Sequence, residues 1–260
     1  MNSNWQPFDA PLDQILQRYP QPLQTLANRQ VPALVVRNAY KTEHCVGLMQ
    51  RFAQRGYFDR DTVGVESQLS GGPYLDLGTS LGRVGGDPEA FFAHAERTHA
   101  LFAQLFDGFD NPVEMMYATL ATLAPNKAVR TAYEPDGRRY GPAIFRIYHG
   151  SEGHRAHFDS VARRSQSDYA VANFAHQFAG VLCLQSAEPE GEPFIYDCYS
   201  SHEINQIVQA GEFEAYARAQ KIAHAQVLLE PGDLYFFYTE NMHAVPPVNR
   251  TSPRVVLAFF

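Results

Sequence analysis

Cysteine is scarce in this 260-residue chain: three residues, Cys45, Cys183 and Cys198, with no Cys-x-x-Cys spacing. A sparse, odd set of this kind excludes a disulfide framework and fits a reducing compartment. Cys183 and Cys198 fall in apolar, strand-like segments, where thiols are buried and structural. No apolar run approaches the roughly 18–20 residues that a membrane span needs. The start, Met1-Asn2-Ser3-Asn4-Trp5-Gln6-Pro7, has neither a basic cluster nor an apolar h-region, so no secretory signal is visible. The Asn249-Arg250-Thr251 sequon is then a chance match. There is no internal repeat, no low-complexity tract and no linker rich in Gly and Ser. Excess positive charge is lacking too: the net charge is −7. The pairs Arg138-Arg139 and Arg163-Arg164 are too small a basic signal for nucleic acid. A soluble cytoplasmic protein with no nucleic-acid and no membrane partner is expected.

What is present is ordinary globular material, 45% apolar and 19% charged residues. The first part reads as mainly helical. Leu12, Ile15, Leu16 and Tyr19 share one helix face, ended by Pro20 and Pro22. Val31–Val36 is a short strand candidate with Pro32 at its edge or start. Lys41–Arg55 is a helix through Cys45, Leu48, Met49 and Phe52, stopped by Gly56. Asp87-Pro88-Glu89 opens a further helix: an N-cap, a first-turn proline and an acid at the positive end. Phe91, Phe92, Ala95, Leu101, Phe102, Leu105 and Phe106 form its core stripe, and another helix covers Val113–Leu123.

From about residue 126 the texture changes to short Pro-, Gly- and aromatic-rich segments between turns. Candidate strands are 143–149, 155–159, 179–186, 193–198, 225–229, 233–238 and 253–260. Helical residues 203–218 interrupt them, and 160–178 reads as a polar loop or lid. The expected fold is α+β, a double-stranded β-helix (a jelly roll, cupin-like) flanked by mainly N-terminal helices. One domain over 1–260 is expected, with 1–125 as helical support and 126–260 as the jelly-roll core.

The chemistry concentrates in Gly153-His154-Arg155-Ala156-His157-Phe158-Asp159-Ser160. His157-x-Asp159 alone carries little weight, because polar residues at that spacing are common in loops. His243 adds to it, in a short loop after the 233–238 strand, as does Arg254 at the start of the terminal strand. Two imidazoles and one carboxylate leave open positions on a metal, as in non-haem Fe(II) oxygenases. Arg254 offers a planar fork of donors for a carboxylate. Arg146 and Tyr148 share a strand face by the period-two rule and point inward together, although an ion-pair role for Arg146 is an equal alternative. A His154/His157 ligand pair would require a helix, against which Gly150 and Gly153 argue. His94 and His99 are badly spaced for shared ligation. His149, His176, His202 and His224 read as surface or structural histidines.

With these residues the sequence resembles the Fe(II)/2-oxoglutarate-dependent oxygenases. His157, Asp159 and His243 match their His-x-Asp…His triad, and Arg254 matches the arginine that binds the cosubstrate. The likeness is closest to the subgroup of standalone indole-alkaloid aliphatic halogenases and N-acyl amino-acid hydroxylases. It runs through Tyr19-Pro20, Pro125, Ile144-Phe145-Arg146, Glu190–Tyr196 and Pro231–Phe237. The resemblance implies an enzyme using Fe(II), 2-oxoglutarate and O2 to hydroxylate a small molecule, an amino-acid derivative or natural-product intermediate, while 2-oxoglutarate becomes succinate and CO2. The halogenases carry Gly where this chain has Asp159, so the resemblance implies hydroxylation and not chlorination. Many relatives have Ser two residues after the arginine, where Val256 stands here; Ser252 or Tyr148 are the candidates to replace it. By the same likeness Tyr74, Leu77, Leu81 and Phe158 line the substrate pocket, with core packing as the plain alternative.

Two other readings compete. One is a non-catalytic jelly-roll protein that binds a metal or ligand. The other is a serine hydrolase, because Gly78-Thr79-Ser80-Leu81-Gly82 matches the Gly-x-Ser-x-Gly elbow. That elbow requires a buried strand before the serine and a helix after it, and neither is expected here.

Overall fold

In this computed structural model, residues 5–67, 74–150, 152–163, 168–187, 191–247 and 252–260 are described. The chain enters through β1 (Phe8–Asp9), α1 (Leu12–Arg18), which buries Ile15, and α2 (Pro22–Ala27), which begins on its proline. β2 (Ala33–Val36) starts just past Pro32, and α3 (Thr42–Gln54) buries Cys45, Leu48, Met49 and Phe52. α4 (Arg60–Ser67), β3 (Leu75–Gly78) and the one-turn α5 (Leu81–Val84) lead to α6 (Pro88–Leu105). α6 starts because the Asp87 carboxylate accepts from the backbone N–H groups of Glu89 and Ala90, while Pro88 needs no such partner. Asn111 caps α7 (Pro112–Leu123) in the same way.

The β-rich half follows with β4 (Ile144–Tyr148), β5 (His154–His157), β6 (Phe178–Gln185) and β7 (Phe194–Tyr199). Then come α8 (His202–Gln209), α9 (Phe213–Ala219), β8 (His224–Gln226), β9 (Leu234–Tyr238), β10 (Asn241–Val245) and β11 (Arg254–Phe259). Between β5 and β6 the described residues include two 3-10 turns, Val161–Arg163 and Ala170–Asn173.

Among the described residues, seven strands form one sheet in the order β1-β2-β9-β6-β11-β4-β3, and four form a second in the order β5-β10-β7-β8. The fold is α+β with a jelly-roll core. The first 125 residues, read as mainly helical, also give β1, β2 and β3 to the large sheet. β3 was not expected as a strand. It was missed because its inward residue, Asp76, is charged, which breaks the apolar signature of a buried strand.

Alternation divides the large sheet into two faces. Phe145, Ile147, Leu182, Leu184, Leu234, Phe236, Val255 and Leu257 pack outward under α3, α6 and α7. Phe145 is fully buried, with the rings of Phe52 at 4.9 Å and Phe102 at 5.2 Å. Truncating such a phenylalanine costs roughly 3–5 kcal/mol. Ile144, Tyr148, Val181, Cys183, Tyr235, Phe237, Val256 and Ala258 face the sandwich interior with Ile195 of the small sheet. The back of the small sheet is closed by α8 and α9, through Ile204 and Phe213 against Met242, Ala244 and Cys198. Gly78 ends β3 at φ +125°, where a Cβ would meet the Ala143 carbonyl oxygen at 2.7 Å. The edge strand β3 can therefore close up on β4 there only around a glycine.

Candidate metal centre

His157 and His243 stand directly opposite each other on the antiparallel neighbours β5 and β10. Their rings lie 4.1 Å apart, centroid to centroid. His243 was expected in a loop; it is central in β10. Met242 and Ala244 are its outward apolar residues, and the inward positions hold Asn241 and His243, so the strand's core-facing pattern is inverted. Asp159 follows β5 and is pinned by its backbone. Its N–H donates to the Thr239 carbonyl at 3.0 Å, and the Thr239 hydroxyl donates to the Asp159 carbonyl at 2.8 Å.

The three side chains converge. Asp159 Oδ2 lies 3.6 Å from His157 Nε2 and 3.7 Å from His243 Nε2. All three potential ligand atoms fall within 4.8 Å of one another. Each imidazole is oriented by its other nitrogen: Nδ1–H of His157 donates to the Arg155 carbonyl at 2.8 Å, and Nδ1–H of His243 to that of Asn241 at 2.9 Å. Those bonds leave both Nε2 lone pairs aimed at one point, the arrangement that backbone carbonyls impose on metal-binding histidines. His157 Nε2 is buried and has no hydrogen-bond partner among the described residues. Burial, reinforced by the neighbouring His243, pushes the His157 imidazole below its usual range. Burial raises Asp159, but the pull of His157 and His243 outweighs it and holds the carboxyl well below the usual carboxylate range. A neutral His157 imidazole and an ionised Asp159 carboxylate are the forms in which these side chains bind a divalent cation.

Arg254 opens β11 opposite Tyr148 of β4, with its guanidinium 5.6 Å from the Tyr148 ring centre. It is only 2% exposed. Among the described residues it forms no ion pair or hydrogen bond. It faces a small cavity that it lines with Tyr148, Val181, Tyr235, His157 and His243. A buried guanidinium without a counter-ion is costly, and a carboxylate ligand would relieve that cost. Val256 faces the interior, Ser252 is exposed, and Tyr148 is the hydroxyl-bearing residue nearest to Arg254 in the strand register.

Arg146 points inward like Tyr148 and also has an acidic neighbour. It lines the small cavity, and its Nε lies 3.8 Å from Asp76 Oδ1 on the neighbouring β3. Asp76 in turn is 3.3 Å from Arg83 Nε. Asp76 and Arg83 were not singled out from sequence. The available signal was an acid centred in Tyr74-Leu75-Asp76-Leu77 opposite a strand arginine.

A cavity of about 600 Å³ adjoins the centre, and Tyr74, Leu81, Phe158, Ser80, Phe91 and Tyr140 are among its walls. Leu77 is not. It is fully buried on the outer face of β3 beneath the helices, because alternation turns Leu75 and Leu77 away from the side that Asp76 faces. The strand and helix around Ser80 do exist, as β3 and α5, contrary to expectation. Ser80 nevertheless sits in ordinary extended backbone (φ −138°, ψ 134°), unlike the strained turn of a nucleophile elbow. His94 and His99 have structural partners, the Thr79 hydroxyl at 2.7 Å and the Tyr140 carbonyl at 2.9 Å. Arg163 pairs with Glu240 at 2.7 Å, and Arg164 lies outside the described residues.

A sequence profile of the family described as carrier-protein-independent halogenase WelO5 matches residues 3–260. Curated protein sequences give no match. Among solved structures, an N-substituted L-amino acid dioxygenase from Burkholderia ambifaria AMMD is similar at 17% identity and a TM-score of 0.55, covering 91% of this chain and 84% of that one. A structure of such a dioxygenase from the same organism in complex with α-ketoglutarate gives 16% identity and a TM-score of 0.54, with coverage of 91% and 84%. The non-haem α-ketoglutarate-dependent epimerase SnoN from nogalamycin biosynthesis gives 12% identity and a TM-score of 0.52, with coverage of 95% and 79%. At these identities the structural likeness is one of fold.

Proposed function

Since the chain belongs to the WelO5 family of carrier-protein-independent halogenases, within the Fe(II)- and 2-oxoglutarate-dependent oxygenases, we propose that it hydroxylates an unactivated C–H bond of a small molecule and does not halogenate it. The observation that carries this reading is Asp159. Its carboxylate stands 3.6 and 3.7 Å from the two imidazole Nε2 atoms, where it would take a metal position that halide otherwise needs.

His157, Asp159 and His243 hold Fe(II) in this reading, and their donor set fits that ion: two imidazoles oriented by backbone carbonyls and one carboxylate. The Arg254 guanidinium receives the distal carboxylate of 2-oxoglutarate as a planar donor fork. When bound, Fe(II) with 2-oxoglutarate and O2 supplies the oxidising power, with succinate and CO2 as coproducts. The chain's own contribution is placement. Tyr148 and Tyr235 wall the cosubstrate cavity, Asp76 balances the charge of Arg146 beside it, and Tyr74, Leu81 and Phe158 surround the substrate and keep water out. The fold supports reading residues 1–260 as one oxygenase domain. Three buried, unpaired cysteines are compatible with work in the cytoplasm, and no described helix is long and apolar enough to cross a membrane. An amino-acid derivative or a natural-product intermediate suits the size and mixed lining of the cavity.

The test is anaerobic addition of Fe(II) and 2-oxoglutarate, followed by air and a substrate panel. A visible metal-to-ligand charge-transfer band that His243→Ala abolishes, with succinate and a product heavier by one oxygen, is expected. Absence of the band would overturn the metal reading, and a chlorinated product in chloride buffer would overturn the choice of reaction.

A further inference from the structure

Residues three apart on a regular strand point to opposite faces. His154 and His157 point the same way. In the β5–β10 register His157 pairs with His243 and His154 with Val245, so three steps along β5 answer two along β10. The extra residue is a β-bulge, a device that re-aims side chains beside functional sites. Gly153 permits it: a Cβ there would meet the Val245 carbonyl oxygen at 2.6 Å and the Pro247 nitrogen at 2.8 Å.

Two restraints on one imidazole follow. The Arg155 carbonyl, within the bulge, accepts from His157 Nδ1–H at 2.8 Å. The His154 ring stacks on the His157 ring with centroids 3.6 Å apart and planes 30° apart, and Tyr74 backs it at 5.2 Å. The hydrogen bond fixes the tautomer but leaves the ring free to rock about that bond; the stacked face removes this freedom. His243 has an equivalent carbonyl partner, and its second support is the Phe237 ring at 4.8 Å. His154 itself forms no hydrogen bond among the described residues, so its flat face is the part in use.

We propose that His154 is a positioning residue: by stacking on His157 it holds the plane that aims Nε2 at the point shared with Asp159 and His243. The inference rests on the metal reading above. It assigns a role to a histidine outside the triad and to the bulge that delivers it.

Co(II) alone is the probe, titrated into metal-free protein by calorimetry and by its visible d–d spectrum. His154→Ala should bind Co(II) at least about tenfold more weakly with an altered spectrum, the range seen when outer supports of metal ligands are removed. His154→Phe, which keeps a flat ring, should stay within about threefold of the parent with the parental spectrum. Should the alanine variant fail to fold, His154→Leu replaces it, with the same expected loss. The proposal is overturned if the folded Ala or Leu variant binds like the parent, or if Phe loses as much affinity as Ala. A parent protein that binds no Co(II) sinks the metal reading itself, a result distinct from either.

Discussion

Replacing Arg254 with leucine should separate cosubstrate binding from the stability of the fold. The side chain is almost wholly buried, and no carboxylate among the described residues pairs with it. If the distal carboxylate of 2-oxoglutarate supplies the missing partner, truncation removes one half of a buried, hydrogen-bonded charge pair. That loss costs about 2–5 kcal/mol, or roughly 30- to 4,000-fold in Kd at about 1.4 kcal/mol per decade. Without cosubstrate the balance reverses. Leucine takes away a desolvated cation that lacks a counter-ion, so the unfolding free energy should fall by no more than about 1 kcal/mol and can rise. Arg254→Lys keeps the charge but not the fork, and should fall between leucine and the parent in affinity. Anaerobic titration of the Fe(II)-loaded proteins with 2-oxoglutarate, read by the charge-transfer band, gives the first quantity; urea unfolding without 2-oxoglutarate gives the second. An Arg254→Leu variant that binds 2-oxoglutarate within about threefold of the parent would refute the reasoning and move the anchor to Arg146, the other guanidinium lining that cavity.

Asp159→Gly should lose hydroxylation by on the order of 100-fold or more, since losing even an outer support of a ligand costs 10–100-fold; product analysis at the parental rate would mean that Asp159 is not a ligand. His149 lies below its ordinary value of 6.5, chiefly through burial, with Arg60 adding to the effect and Glu152 opposing it. The folded protein thus holds fewer protons there than the unfolded chain, so the stabilisation is present above pH ~6.5 and is lost as the pH falls below it. Urea midpoints of the metal-free parent should drop between neutral and mildly acidic pH, and less so for His149→Gln; equal slopes would rule His149 out as a source. Asp87→Ala should destabilise by about 1 kcal/mol through loss of the α6 cap, and Asp87→Ser should restore most of it; a urea midpoint unchanged in the alanine variant would contradict the capping role.

Much of the fold is legible in the sequence, because most elements obey one period each. The Asp87 cap, the α3 stripe and the alternation of Ile144–Tyr148 correspond to what the structure contains. The misreadings of β3 and β10 share one cause. β3 and β10 turn polar residues inward, Asp76 in one and Asn241 with His243 in the other, so the rule that separates core from solvent gives the wrong answer there. Leu77, placed in the pocket by the family likeness alone, lies on the opposite face, since a strand with an inward acid sends its leucines the other way. The bulge in β5 left no sequence signal beyond Gly153, and it hid the stacking of His154 on His157. Asp159, His157, His243 and Arg254 could be singled out by residue type and order. The convergence of the first three on one point depends on strand pairing, which spacing alone does not specify.

β5 has one consequence that concerns the protein's handling as much as its chemistry. Among the described residues it lies at the outer edge of the small sheet, with only β10 beside it, and edge strands are where chains fray and recruit one another. A metal held between His157 and His243 would fasten that edge to its neighbour through side chains as well as backbone. Binding that favours the closed form raises the free energy of local opening by mass action. Iron supply would then set the shelf life of the polypeptide: amide exchange over residues 154–158 should slow on metal loading, and metal-depleted stocks should precipitate first.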